Sequence, residues 1–386
     1  MNLKHTIAVS LIILLGQYNL LAQENYKVDD TKNYFENKET YQVATYENVS
    51  FKSKPKNIIL FIGDGMGVTQ LYAGISANGG ALNMTQMKEI GFSFTQSANN
   101  YITDSAAGGT ALACGVKTNN GAIGVDENNK AVSNMIEIAE KNGKSTGLVS
   151  TSSITHATPA SFIAHQPKRS MNEEIAADFL KTDIDVFIGG GEDFFVKRKD
   201  ERNLLDELNK KDYTVLKSID EAADIKEGKL AVLTAPKHNG KRDERAPDML
   251  EKSTMKAIEL LSNNSDGFFL MVEGSQIDWG GHQNNISYIT NEVLDMDKAI
   301  GEAMAFAAKN KETLVIVTAD HETSGLAIVG GNEKEGKIKA GFATKGHTAV
   351  MVPVLAFGPG SEEFCGFYQN TEIFKKMLKV GKYNKH

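Results

Sequence analysis

The stretch NIILFIG, residues 57–63, is an unbroken apolar run that ends in a glycine and is followed directly by Asp64. Such a run is typical of a strand buried on both faces, as in a parallel sheet. Segments with helical periodicity lie at 132–141, 248–261 and 287–309. The pattern predicts an α/β fold with a mostly parallel central sheet and helices on both faces. Further runs of the same kind are GLVST (147–151), DVFIGG (185–190), LAVLTAP (230–236), GFFLMVEG (267–274), TLVIVTAD (313–320) and VPVLAFGPG (352–360).

The composition is that of an ordinary globular protein, with 41% hydrophobic and 24% charged residues in a chain of 386. This length fits one large α/β domain or two smaller ones. The formal net charge of −7 argues against a nucleic-acid partner, because a nucleic-acid groove needs a basic surface. An anionic substrate would therefore be held locally, by metal ions or by a well-placed arginine.

The N-terminus has the features of a secretory signal. Lys4 precedes an apolar run at 7–15, and Ala22 offers a small residue for cleavage. A short membrane anchor is the alternative, but the run is too short to span a bilayer, and no later segment is apolar enough to cross one. We expect a signal peptide at 1–22, export to the periplasm or the medium, a polar arm at 23–56 and a main domain at 57–386.

The two cysteines stand far apart in the sequence. Cys114 lies in a run of small residues, which predicts a buried thiol. A disulfide between Cys114 and Cys365 is neither supported nor excluded by the sequence.

Polar side chains follow several of the predicted strands at the point where each strand ends. In open α/β sheets, ligands bind beyond the carboxyl ends of the strands. We therefore expect acidic and imidazole groups from distant parts of the chain to meet at one edge of the sheet. These residues are Asp64, His156, Thr158, Glu273, Asp320, His321 and His347.

The segment TDSAAGGTALACGVKT, residues 103–118, places a hydroxyl beside a carboxylate at the start of a helical pattern. Ser105 is the candidate nucleophile. The small residues that follow it would let backbone amides and the positive end of the helix dipole face a bound anion such as phosphate. Taken alone, the same residues also make a good helix cap without any catalytic role.

Carboxylates and histidines occur in pairs whose spacing suits metal ions. Asp278 and His282 in IDWGGH are four residues apart, on one side of a turn, and Asp320 and His321 are adjacent at a strand end. Mixed sets of this kind suit zinc. Asp64, Thr158 and Glu273 offer only oxygen and suit magnesium. Together they indicate two catalytic zinc ions and one supporting magnesium ion.

From Asn57 to the C-terminus, the chain resembles the alkaline phosphatase family. Six motifs occur in the family's order, and it is the shared order that makes the match specific. They are NIILFIGDGMG, TDSAAGGTALACGVKTNNGAIGV, THATPASFIAHQPKR, EGSQIDWGGH, TADHETSG and GHTAVMVPVLAFGPG. The resemblance implies that the main domain is a catalytic domain, a three-layer sandwich with the family's fold. It also implies an exported enzyme that hydrolyses small phosphate monoesters through a phosphoserine intermediate, and a homodimer.

The same resemblance assigns roles to individual residues. One zinc would be bound by Asp278, His282 and His347, and Arg169 matches the arginine that clamps phosphate. The second zinc would be bound by Asp64, Asp320, His321 and the Ser105 oxygen, and the magnesium by Asp64, Thr158 and Glu273.

Two residues depart from the pattern of many bacterial members. His156 occupies a position where those members often carry aspartate, so it would lie near the magnesium as a direct or water-mediated ligand. Trp279 follows Asp278 where many of them carry lysine, and it is either a neighbour of the phosphate or a packed loop aromatic.

Three other functions fit the motifs less well. Sulfatases need a Cys or Ser within a Pro/Arg motif, which TDSAAGGT is not. Phosphodiesterases of the superfamily commonly use Thr as nucleophile and lack the Thr158 and Glu273 pair. An exported protein that binds metal or phosphate without turnover has little support, because every inferred ligand and Ser105 are present.

Overall fold

The computed structural model describes residues 31–384, apart from residues 48 and 53. The predicted signal peptide therefore lies outside the described residues. Among the described residues, no helix combines the length and the apolar character that a membrane crossing requires.

A ten-stranded sheet forms the centre of the described chain, with the spatial order β15-β3-β14-β9-β2-β8-β4-β5-β7-β6. All its strands run in one direction except β14, which is antiparallel to both neighbours. In chain order, the strands are β1 (Tyr34–Glu36), β2 (Asn57–Gly63), β3 (Glu89–Phe94), β4 (Ser145–Ser153), β5 (Val186–Gly190), β6 (Tyr213–Leu216), β7 (Lys229–Leu233), β8 (Phe268–Gly274), β9 (Thr313–Thr318), β10 (Glu322–Thr323), β11 (Leu326–Asn332), β12 (Lys337–Phe342), β13 (His347–Thr348), β14 (Val352–Phe357) and β15 (Gly366–Gln369).

Helices pack on both faces of this sheet. They are α1 (Val68–Ala77), α2 (Ser105–Cys114), α3 (Met135–Lys141), α4 (Ala157–Ala160), α5 (Asn172–Asp178), α6 (Glu192–Val196), α7 (Leu204–Asn209), α8 (Met249–Leu261), α9 (Gln276–His282), α10 (Ile286–Asn310) and α11 (Asn370–Gly381). Short 3₁₀ turns lie at 31–33, 83–86, 219–222, 333–335 and 361–364.

The residues of β2 divide between two apolar cores because successive side chains of a strand point to opposite faces. Ile59 and Phe61 join the core that α8 and α10 cover, whereas Ile58, Leu60 and Ile62 join the core that α2 and α11 cover. A fully buried side chain of this size stabilises the fold by roughly 1.5–3 kcal/mol. The predicted three-layer α/β arrangement is confirmed.

The strands that the sequence did not predict are those with an exposed face or few residues. In β3, Ile90 and Phe94 are exposed while Gly91 and Ser93 are buried, so the apolar run is interrupted. The predicted arm also contributes regular structure, since β1 pairs with β12 in a separate antiparallel sheet with β11. Cys114 is buried, as predicted, and Cys365 is exposed, so no disulfide joins them.

The strand order brings the predicted site together. Four neighbouring strands, β9, β2, β8 and β4, end at the same edge of the sheet, and the candidate residues lie at or just beyond these ends. β10 and β13 form a two-stranded sheet in which Thr323 lies opposite His347. Because β10 comes soon after the end of β9, this pairing brings His347 to the same edge.

Candidate active site

Ser105 is the first residue of α2 and is almost completely buried. Asp104 caps this helix, since its Oδ1 accepts a hydrogen bond of 3.0 Å from the amide of Ala107. The Oγ of Ser105 lies 3.3 Å from the Nε2 of His321. The helix can approach the strand ends closely because Gly108 has no side chain: a Cβ there would lie 3.0 Å from the Cβ of Asp320.

Arg169 is held near Ser105 by two side chains. Its Nη1 donates to the Oδ2 of Asp104 at 3.0 Å, and its Nη2 donates to the Nε2 of His156 at 3.1 Å. Burial and the guanidinium together lower the pKa of His156 to about 3, so this imidazole is neutral and can accept that hydrogen bond. The sequence singled out Arg169 and His156 but treated Asp104 only as a helix cap.

The first metal-ligand cluster contains Asp278, His282 and His347. The Nε2 of His282 lies 3.2 Å from the carboxylate of Asp278, and the Nε2 of His347 lies 3.4 Å from it. The two Nε2 atoms are 3.2 Å apart. The Nδ1 of His282 donates to the Lys345 carbonyl at 2.5 Å, and the Nδ1 of His347 donates to the Thr103 carbonyl at 2.9 Å. These carbonyls orient both rings so that Nε2 faces the cluster, as in metal sites whose histidines are fixed from behind.

The second cluster lies around His321. Its Nε2 is 3.4 Å from the Oδ1 of Asp64 and 3.3 Å from the Oδ2 of Asp320. The set Asp64, Asp278 and His321 can also converge on one ion, so Asp278 borders both clusters. The rings of His321 and His347 stack with centroids 3.6 Å apart.

The third cluster contains the oxygen ligands predicted for magnesium. The Thr158 hydroxyl is 3.5 Å from the Oδ2 of Asp64, and Asp64, His156 and Glu273 can converge on one ion. The Oε2 of Glu273 accepts hydrogen bonds of 2.6 Å from Ser150 and from Ser275, two residues that the sequence did not single out. The Nδ1 of His156 is buried without a hydrogen-bond partner among the described residues.

The electrostatics of this edge are those of crowded, buried carboxylates. Burial raises the pKa of Glu273 to about 7, and burial with the nearby Asp278 raises the pKa of Asp320 to about 6. Burial and then Asp320 hold the pKa of Asp64 well above its usual range. Burial acts on Asp278 as well, but hydrogen bonds from His282 and His347 outweigh it and hold the pKa of Asp278 well below its usual range.

Several buried atoms of these clusters have no hydrogen-bond partner among the described residues. They include the Oδ1 of Asp64, the Oε1 of Glu273 and the Oδ2 of Asp320. Buried carboxylate oxygens are normally paired or bound to a metal ion. The residues therefore fit divalent cations, with nitrogen and oxygen donors for zinc and mainly oxygen donors for magnesium.

Two rings border the site on the side of His156. Trp279 lies edge-on to His156 with centroids 6.0 Å apart, and His238 lies edge-on to Trp279 at 4.9 Å. Trp279 is therefore a neighbour of the site. His238 was not predicted from the sequence, although its position just beyond the end of β7 could have indicated it.

The sequence model of the alkaline phosphatase family matches residues 55–340. The chain belongs to the alkaline phosphatase family. It is 36% identical to alkaline phosphatase 4 of Bacillus subtilis, over 86% of this chain and 90% of that protein. It is 31% identical to the alkaline phosphatase of Escherichia coli, over 85% of this chain and 86% of that protein. Its activity is the hydrolysis of phosphate monoesters, in a family that depends on metal ions.

Solved structures agree with this assignment. The alkaline phosphatase of the Antarctic bacterium TAB5 superimposes with a TM-score of 0.82 at 45% identity, over 87% of this chain and all of that one. A TAB5 variant in which one histidine is replaced by glutamate, with Mg bound in its M3 site, has the same TM-score at 44% identity and the same coverage of both chains.

We expect zinc binding by the metal-stripped protein to strengthen between pH 7 and pH 9. The hydrogen bond that His282 donates to the Asp278 carboxylate raises the pKa of His282 to about 9, so zinc must displace a proton from this imidazole below that pH. Each displaced proton makes the affinity rise by roughly tenfold per pH unit. A competing chelator dye would measure the dissociation constant across this range. The variant His282→Ala is the control and should bind more weakly with a shallower pH dependence. Affinity that does not change with pH would contradict the expectation.

Proposed function

We propose that the chain hydrolyses phosphate monoesters through a phosphoserine intermediate on Ser105, at a site that holds two zinc ions and one magnesium ion. The observation that carries this proposal is the position of the Ser105 hydroxyl. It lies at a helix N-terminus, 3.3 Å from His321, where carboxylates from neighbouring strands converge.

The clusters supply a ligand set for each ion. Asp278, His282 and His347 would hold one zinc ion. The second would be held by Asp64, Asp320, His321 and the Ser105 oxygen, and the magnesium ion by Asp64, Thr158 and Glu273 with His156 beside it. When bound, such ions favour the ionised serine and stabilise the negative charge that develops on phosphate and on the leaving oxygen.

The protein's own groups position the reaction. The Ser105 Oγ attacks phosphorus, the bond from phosphorus to the alcohol oxygen breaks, and phosphate becomes esterified to Ser105. Water then attacks the same phosphorus and regenerates the serine with release of inorganic phosphate. Amides at the start of α2 face the anion. Arg169 can hold two phosphate oxygens with its planar guanidinium, which Asp104 keeps in place.

We also infer that the protein is exported to the periplasm or the medium after removal of residues 1–22. Supporting this inference are the basic start and the apolar run at 7–15. The division into an arm at 23–56 and a catalytic domain at 57–386, and the homodimer, remain predictions.

Acid quenching during turnover tests the nucleophile. With zinc and magnesium present, the wild-type protein should hydrolyse an aryl phosphate and retain labelled phosphate on Ser105 after the quench. The variant Ser105→Ala should retain no label and lose activity by a factor of at least about 10³, because the covalent route is absent. Ser161→Ala, which removes a buried hydroxyl bonded to the Ala157 carbonyl, is the matched control and should still be labelled. Label on Thr103 or Thr110 would show that the nucleophile is wrong, and wild-type protein without turnover would favour the binding-only alternative.

The replacement Arg169→Ala should raise the inhibition constant for inorganic phosphate by at least about tenfold, because a bidentate charged contact is lost. Zinc content should stay the same, since the arginine contacts Asp104 and His156 and none of the residues proposed to bind zinc. Arg169→Lys is the control. It keeps the charge but not the bidentate guanidinium, so its inhibition constant for phosphate should fall between those of the wild type and Arg169→Ala. Loss of zinc from Arg169→Ala would indicate a structural role instead.

The replacement His156→Asp should tighten magnesium binding by about tenfold, because a carboxylate suits this hard ion better than an imidazole. The position of His156 within reach of Asp64 and Glu273 supports this expectation. Calorimetry on the zinc-loaded protein measures the dissociation constant. His156→Asn provides an oxygen without the charge and should have a smaller effect. Equal magnesium affinity in wild type and His156→Asp would place residue 156 away from this ion.

A further inference from the structure

The segment after β7 carries His238 to the edge of the active site and fixes its orientation. The backbone amide of Ser153 donates to the Nδ1 of His238 at 3.2 Å. In the neutral ring, the proton is then on Nε2, which binds no other described residue and can donate to a ligand.

This segment is anchored to the helix that bears a metal-ligand candidate. Gln276 in α9 donates from its Nε2 to the carbonyls of Asn239 at 3.0 Å and Gly240 at 3.1 Å. Asp278 is two residues further along the same helix. The side chain of His238 is exposed, but these hydrogen bonds fix the backbone of its segment at the catalytic edge of the sheet.

Two rings form a corner beside the arginine. His238 and Trp279 are nearly perpendicular, at 89° with centroids 4.9 Å apart, and His238 is 5.7 Å from the ring of His156. His156 in turn accepts a hydrogen bond from Arg169. If Arg169 held the phosphate of an ester, the ring of His156 would lie between that phosphate and the two rings. The rings would then be near the organic group of the ester rather than near the phosphate oxygens.

We propose that His238 and Trp279 contact the organic group of the ester and favour alcohols that carry a planar heteroaromatic ring, as in nucleoside monophosphates. This inference rests on the proposed function of the site. An aromatic edge or face packs well against a planar ring, and the Nε2 proton of His238 matches the acceptor nitrogens and oxygens of a nucleobase. An acyclic alcohol offers neither feature.

Steady-state kinetics on adenosine monophosphate and on glycerol 2-phosphate test the proposal. The ratio of their kcat/KM values should fall by about fivefold in His238→Ala, a loss in the range expected for one base stacked on one aromatic side chain. The inhibition constant for inorganic phosphate should stay unchanged, because phosphate has no organic group. Lys237→Ala, which alters the neighbouring exposed residue, is the control and should leave the ratio as in wild type.

A second variant separates the ring from its donor. His238→Phe should keep more of the preference than His238→Ala, because it retains a flat apolar face. An unchanged ratio in both variants would overturn the proposal. So would an equal loss on both substrates accompanied by weaker phosphate inhibition, since that result would mean that His238 acts through His156. If the phosphoserine mechanism itself were wrong, the acid-quench experiment would find no acid-stable label on Ser105, whatever the ratio of the kcat/KM values.

Discussion

The burial of three carboxylates at the ends of adjacent strands is the constraint on which the site depends. Glu273 of β8 and Thr318 of β9 both lie opposite Ile62 of β2, and Asp64 and Asp320 follow two residues beyond Ile62 and Thr318, in the same direction. Buried carboxylates are costly unless they are neutralised. Burial raises the pKa values of Glu273 and Asp320, the direction expected when the charged form of a carboxyl group is disfavoured. Cations would provide the same neutralisation near neutral pH, and the parallel register thereby creates a site that fits metal ions.

Asp104 connects Ser105, the proposed nucleophile, to Arg169, which is proposed to bind phosphate. One of its oxygens caps α2 at Ala107, and the other accepts a hydrogen bond from Arg169. The amide of Gly121 donates to both oxygens and holds the carboxylate between these two partners. A small residue is needed at Gly108 so that the capped helix can reach Asp320. The position of the serine and the position of the guanidinium therefore depend on the same side chain.

The sequence predicted the strand-end residues well because strands buried on both faces are continuous apolar runs, and residues beyond such runs must meet at one edge. It could not predict the contact of Arg169 with His156, because the loops that carry these residues are fixed by tertiary hydrogen bonds. Edge strands such as β15 were missed because the exposed Phe367 lies between Gly366 and Tyr368 in a short strand without a continuous apolar run. His238 could have been found, since LAVLTAP ends two residues before it and follows the same strand-end rule.

Asp278 and Thr323 connect the two clusters that are proposed to bind zinc. The Thr323 hydroxyl donates to the Oδ1 of Asp278 at 2.5 Å and lies 3.3 Å from the Nδ1 of His321. Asp278 therefore provides negative charge to His282 and His347 on one side and lies close to His321 on the other. If each cluster held a divalent ion, as proposed, both ions would draw on the negative charge of Asp278, which would offset part of the repulsion between them.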